Sequence, residues 1–217
     1  MLKLVVNTRM VMSIRMVMSI ATRMIMTTMT IHTTTDIPMM MATTMPINEQ
    51  SGVFSDLALL GLMQLVSPAL PIGAFAWSQG LESAFELGWV NNEQELGEWL
   101  EGVLADGLTR CELPALARLY NAWANCDSES IAYWNEWIHA NRETSELGDE
   151  DIRLGLALVR LLTSLDLQPK VAQGDAQLPD EPGYVTVFAW AAYQRHIPIR
   201  QILLGFAWAW LENQLAA

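Results

Sequence analysis

Leu96-Gly97-Glu98-Trp99-Leu100-Glu101-Gly102-Val103-Leu104-Ala105-Asp106-Gly107-Leu108-Thr109-Arg110-Cys111 decides the fold class. Its large apolar groups fall at 96, 99, 100, 103, 104, 108 and 111, with Gly107 among them, the three- and four-residue steps of one helix face. A strand would alternate every second residue instead. The same period continues outward on both sides. Upstream lies the run Leu57–Val66; downstream are the stripes Leu116/Leu119/Tyr120/Trp123, Tyr133/Trp134/Trp137/Ile138, Leu154/Leu158/Leu161/Leu162/Leu165 and Val185/Phe188/Ala189/Ala192. Each stripe predicts one amphipathic helix. Gly88, Pro114, the Cys126-Asp127-Ser128 group, Gly148, the Pro169–Gly183 segment and Pro198 punctuate them. Pro198 sits at the first-turn position of a last helix through Leu203, Phe206 and Trp210. Strand alternation and any βαβ rhythm are missing, so the expected fold is all-α, a single-domain helical bundle over residues 55–217.

Residues 1–50 do not fit that pattern. The hexamer Arg9–Ile14 is repeated at once as Arg15–Ile20, and a Met/Thr-rich tract follows. Twelve of the 13 methionines lie here, and a tandem hexamer offers no continuous helical face to bury. This stretch is expected to be a low-complexity extension without a fixed fold, or to precede the true start.

The net charge is −12, but Lys3, Arg9, Arg15 and Arg23 against Asp36 and Glu49 give residues 1–50 a charge of +2, leaving −14 on residues 51–217. So acidic a body repels phosphate backbones and favours basic protein surfaces, which argues against a nucleic-acid partner. Cys111 and Cys126 stand 15 apart with no CxxC, and read as reduced cysteines packed in a core. No run reaches the roughly 20 apolar residues of a membrane span; Gln201 to Leu211 is broken by Glu212.

What is missing prunes most enzyme classes. The two lysines, Lys3 and Lys170, sit in no phosphate-binding loop, and there is no GxGxxG after a strand, no HExxH and no GxSxG. His139 and His196 are far apart, without paired ligands. One cluster invites chemistry: Glu146-Leu147-Gly148-Asp149-Glu150-Asp151 could hold Mg²⁺ through Asp149 and Asp151, as in all-helical enzymes acting on diphosphates. That chemistry needs a second acidic cluster and basic groups, and neither is evident. Acids near a helix start are also what its dipole favours.

Ser67-Pro68-Ala69-Leu70-Pro71-Ile72-Gly73-Ala74-Phe75-Ala76-Trp77-Ser78-Gln79-Gly80-Leu81-Glu82 is shaped rather than reactive. The prolines end the Leu57–Val66 helix, and Ser78 suits the N-cap of a short helix with Leu81, Ala84 and Phe85 inward, ended by Gly88. Glu82 and Glu86 share one flank, a like-charge pair that a cationic partner would relieve. With Phe75 and Trp77 they make a candidate interface of aromatic anchors and carboxylates.

This segment, with Leu62-Met63-Gln64-Leu65 before it, resembles the N-terminal signature of the urease accessory protein UreF family. Three further blocks resemble the family in order: Glu112-Leu113-Pro114 with Ala117-Arg118-Leu119-Tyr120; Asn141-Arg142-Glu143-Thr144 with Glu146-Leu147, Gly155 and Leu161-Leu162; and Gly205–Gln214. The resemblance implies an all-helical cytoplasmic chaperone, homodimeric at full length, that joins UreD (also called UreH) and the GTPase UreG to insert nickel into the urease apoprotein. It implies no catalytic residue and no cofactor held by this chain, with nickel handled by the complex and GTP by the partner. Phe75, Trp77, Ser78, Gln79, Glu82, Glu86, Arg142 and Glu143 are the residues it suggests for partner binding. Two departures stand out: Ala74 replaces a family glycine, and the family's segment after Gln214, of Lys-Leu-Val-Pro-Leu-Gly-Gln type, is expected to be lacking.

Overall fold

The Ser55 hydroxyl accepts the Ala58 N–H at 3.1 Å and opens the first helix, α1 (Asp56–Leu65). The computed structural model describes residues 55–73, 80–165, 167 and 176–216; the extension expected over 1–50 and the segment 74–79 lie outside the described residues. α1 ends as the proline pair requires. Val66 caps it, and the Ser67 hydroxyl accepts the Ala69 N–H at 3.2 Å in the turn that follows. α2 (Leu81–Glu86) stops before Gly88, whose φ of +70° only glycine adopts without strain. Leu81 and Ala84 face the core as expected, but Phe85 is 49% exposed, because a six-residue helix has room for one inward edge.

α3 (Glu93–Val103) begins with a reciprocal cap. The Asn92 side chain accepts the Glu95 N–H at 3.0 Å, and the Glu95 carboxylate accepts the Asn91 N–H at 2.7 Å. The stripe through Cys111 is not one helix. A π-helical turn, Leu104–Leu108, interrupts it; the wider turn sends both Leu104 and Leu108 into the core, and the Thr109 hydroxyl closes it on the Ala105 carbonyl at 2.6 Å. The chain then redirects into α4 (Glu112–Ala124), where Pro114 occupies a first-turn position whose missing N–H no helix bond needs.

α5 (Ser128–Ala140) is capped by Asp127 and α6 (Ser145–Ser164) by Thr144. Gly148, expected to separate elements, lies inside α6, because the His139 ring packs where a side chain would stand. α7 (Tyr184–Gln194) and α8 (Ile199–Ala216) complete the bundle, and no strand occurs among the described residues. Residues 185–192 of α7 are buried without interruption, so this is the central helix, and it packs most extensively on α4 and α6. α6 meets the chain leading into α7 at Gly155, where a Cβ would collide with the Pro182 carbonyl oxygen.

Three further residues expected to be buried are not. Tyr133 is exposed and lies edge-on against Trp134, since α5 is anchored through Ile131 and Ile138; Leu165 is exposed at the end of α6. Cys126 is exposed too, in the left-handed turn (φ +54°) between α4 and α5.

Candidate functional site

Arg142 follows α5, in the turn leading to α6. One terminal nitrogen of its guanidinium meets Glu112 Oε1 of α4 at 2.6 Å, and the other meets Asp151 Oδ1 of α6 at 3.0 Å. Asp151 Oδ1 also accepts the backbone N–H of Tyr184, the first residue of α7, at 3.3 Å. The N-terminus of α7 has no cap of its own, because Gly183 has no side chain. Asn135 of α5 substitutes for one: its Oδ1 accepts the Gly183 N–H at 2.9 Å and the Thr186 hydroxyl at 2.7 Å, while its Nδ2 donates to the Glu181 carbonyl at 3.0 Å. Two helices thus cap a third.

The electrostatics follow from burial. Burial raises the pKa of Asp151, offset in part by Arg142. Burial would lower Arg142, but Asp151 and Glu112 outweigh it and the net shift is upward. Burial beside Glu112 pushes the Cys111 thiol up to about 11, so it stays protonated and unreactive near neutrality. Glu150, buried on the next position of α6, is pushed up to about 7 by burial, with Arg142 holding it lower than burial alone would.

The residues singled out for partner binding fall into two groups. Glu82 and Glu86 are exposed on α2, beside Phe85, Leu87 and the 63% exposed Trp89, whose ring lies 6.0 Å from that of Trp99. Phe75, Trp77, Ser78 and Gln79 lie outside the described residues. Glu143 is exposed, whereas its neighbour Arg142 is turned inward. Glu112, Asn135 and Glu150 carry weight here that the sequence did not reveal. Asn135 and Gly183 are 48 positions apart, and no spacing rule joins them.

Asp149 and Asp151 do not converge on a cation. Asp151 is spent on Arg142 and the Tyr184 amide, while Asp149 points outward to Arg153 at 3.5 Å. Among the described residues no group of three or more His, Cys, Asp or Glu side chains could hold a metal ion. No described helix is long and apolar enough to cross a membrane.

The buried ion pairs of Arg142 lock helices together, while Glu82, Phe85, Glu86 and Trp89 stand exposed at one edge of the bundle. Comparison with known proteins gives the family. The sequence pattern of UreF matches residues 90–217. A urease accessory protein UreF of Psychrobacter cryohalolentis is 75% identical over 173 residues, 80% of this chain and 74% of that protein. That of Pseudoalteromonas translucida is 76% identical over 172 residues, 79% and 73% of the two chains. That of Alkalilimnicola ehrlichii is 44% identical over 158 residues, 72% and 67%. The chain belongs to the UreF family of urease accessory proteins, and is an accessory protein rather than an enzyme.

Proposed function

We propose that this protein is a cytoplasmic chaperone of urease maturation, joining UreD (UreH) and the GTPase UreG so that nickel is inserted into the urease apoprotein. Nickel is the cargo of that complex and GTP the fuel of its partner. This chain supplies the docking surface, built from the exposed Glu82/Glu86 flank of α2 with Phe85 and Trp89, the adjoining Phe75–Gln79 segment, and Glu143. The observation that carries the reading is the 75% identity, over 80% of the chain, to a protein titled urease accessory protein UreF. The acidic charge of residues 51–217 and the apolar groups exposed beside Glu82 and Glu86 support a role in association.

The test is co-purification of the full chain with UreD and UreG of a related urease system, together with restoration of urease activity in a host lacking its own UreF. Co-purification and recovered activity are expected. A chain that binds neither partner and restores no activity would overturn the reading.

A further inference from the structure

The last turns of α8 border a gap on each side. Toward α6 lies a cleft of about 70 Å³, which Trp210, Asn213 and Gln214 of α8 line together with Leu147, Glu150 and Leu154 of α6. Toward the turn after α1 lies a smaller gap of about 10 Å³, shared by Ala209 and Asn213 with Val66, Pro68 and Ile72. Protein interiors leave few voids, so a helix end flanked by two is held less firmly than its neighbours. The first half of α8 is anchored by the buried Ile202, Phe206 and Ala207; beyond them the buried side chains are Leu211 and Gln214. The opposite wall has no such freedom. Gly155 of α6 abuts the Pro182 carbonyl oxygen, and Asp151 is tied to Arg142 and to the Tyr184 amide. If the cleft changes shape, the end of α8 is the wall that moves.

Glu150 supplies a reason for it to change. It is 5% exposed, and burial pushes it up to about 7, with Arg142 drawing it down, Asp151 raising it and Arg153 drawing it down. The other ionisable groups lining the cleft are Glu112 of α4, Arg142 before α6, Asp151 of α6 and Tyr184 of α7; α8 brings the neutral amides of Asn213 and Gln214, and α5 brings nothing. Arg142 is already engaged by Glu112 at 2.6 Å and Asp151 at 3.0 Å, and Arg153 stands exposed against Asp149 at 3.5 Å. Loss of the Glu150 proton therefore adds a third carboxylate to a space that holds two. A buried charge of that kind has to be hydrated. Widening the cleft brings water to it, and the same water can accept from Arg142 Nε, which is buried without a partner.

We propose that the end of α8, from Ala209 onward, is a proton-gated wall: it closes on α6 while Glu150 carries a proton and moves away when Glu150 is a carboxylate, uncovering Phe206 and Trp210. The gate is closed in mildly acidic solution and open in mildly alkaline solution. It does not depend on the urease role.

The full chain is followed by NMR between pH 5 and pH 9. Three signals are read: the Trp210 indole N–H, the side-chain carboxyl carbon of Glu150, and hydrogen-exchange protection, corrected for intrinsic rates, at the amides of residues 211–214. The indole and the Glu150 carboxyl are expected to titrate together with one midpoint near 7. Protection at 211–214 should fall at least about fivefold between pH 6 and pH 8, while residues 185–192 of α7 keep theirs. Glu150→Gln should hold the indole signal and the protection constant across the range, and Asp149→Asn should behave as wild type. Should the Glu150 variant fail to fold, the shared midpoint in the wild-type chain carries the test. An indole that does not titrate, separate midpoints for the indole and the carboxyl, unchanged protection at 211–214, or a pH response that survives in Glu150→Gln would overturn the proposal.

Discussion

Arg142 and Asp151 meet at 3.0 Å through the same carboxylate oxygen that accepts the first backbone N–H of α7. One contact therefore ties the turn after α5, the body of α6 and the start of the central helix. Losing the guanidinium would leave Glu112 and Asp151 buried and uncompensated. Arg142→Met is expected to cost about 3–5 kcal/mol of stability, read as a lowered urea midpoint. Asp149→Ala breaks an exposed pair on the same helix and should stay within about 0.5 kcal/mol.

Gly155 and Gly102 are both helical glycines in opposite situations. A Cβ on Gly155 would run into the Pro182 carbonyl oxygen and the Gly183 carbonyl carbon, both backbone atoms that cannot step aside. Gly155→Ala should destabilise by at least about 1–3 kcal/mol, with α6 pushed off the start of α7. Nothing lies within 4 Å of a Cβ on Gly102, so Gly102→Ala should stabilise by about 0.5–1 kcal/mol. Thermal unfolding of the two variants should move in opposite directions.

Glu150 makes stability pH-dependent. Its folded pKa of about 7 lies above the ordinary 4.5, so the folded protein holds a proton that the unfolded chain has released. That contribution is present in full below about 4.5 and is lost as pH rises to about 7, in total on the order of 3 kcal/mol. Glu112 from α4, Arg142 before α6, Asp151 and Arg153 on α6 and Tyr184 of α7 surround it, while α8 contributes only neutral amides. Glu150→Gln keeps the shape and removes the titration. Relative to wild type the variant should gain stability between pH 5 and pH 8, and a constant difference across that range would refute the assignment.

Glu82→Ala with Glu86→Ala should leave the unfolding midpoint within experimental scatter, since both side chains are exposed. Capture of UreD and UreG by the same double variant is expected to fall at least tenfold, with the loss diminishing at high salt. Unchanged capture would remove these carboxylates from the docking surface.

Local periodicity made much of the fold legible. The Leu116/Leu119/Tyr120/Trp123 stripe, the proline stop after α1 and the glycine stop after α2 are set by side chains within a few residues of one another, and each appears in the structure. The π-helical turn at Leu104–Leu108 escaped that reading because its leucines keep a four-residue step and mimic an unbroken helix. The resemblance assigns both Arg142 and Glu143 to partner binding, yet the chain turns Arg142 inward and leaves Glu143 exposed.

By itself, then, the sequence determined that this is an all-α bundle with a proline stop after α1 and a glycine stop after α2, because helix period, prolines and glycines act over short range. Only the tertiary structure decided that Arg142 is an internal lock between Glu112 and Asp151, that Asn135 caps a helix 48 residues away, and that Glu150 and Gln214 face one cleft. Those relations depend on which helices become neighbours. Burial then sets both the charge state of each group and the cost of leaving it unpaired.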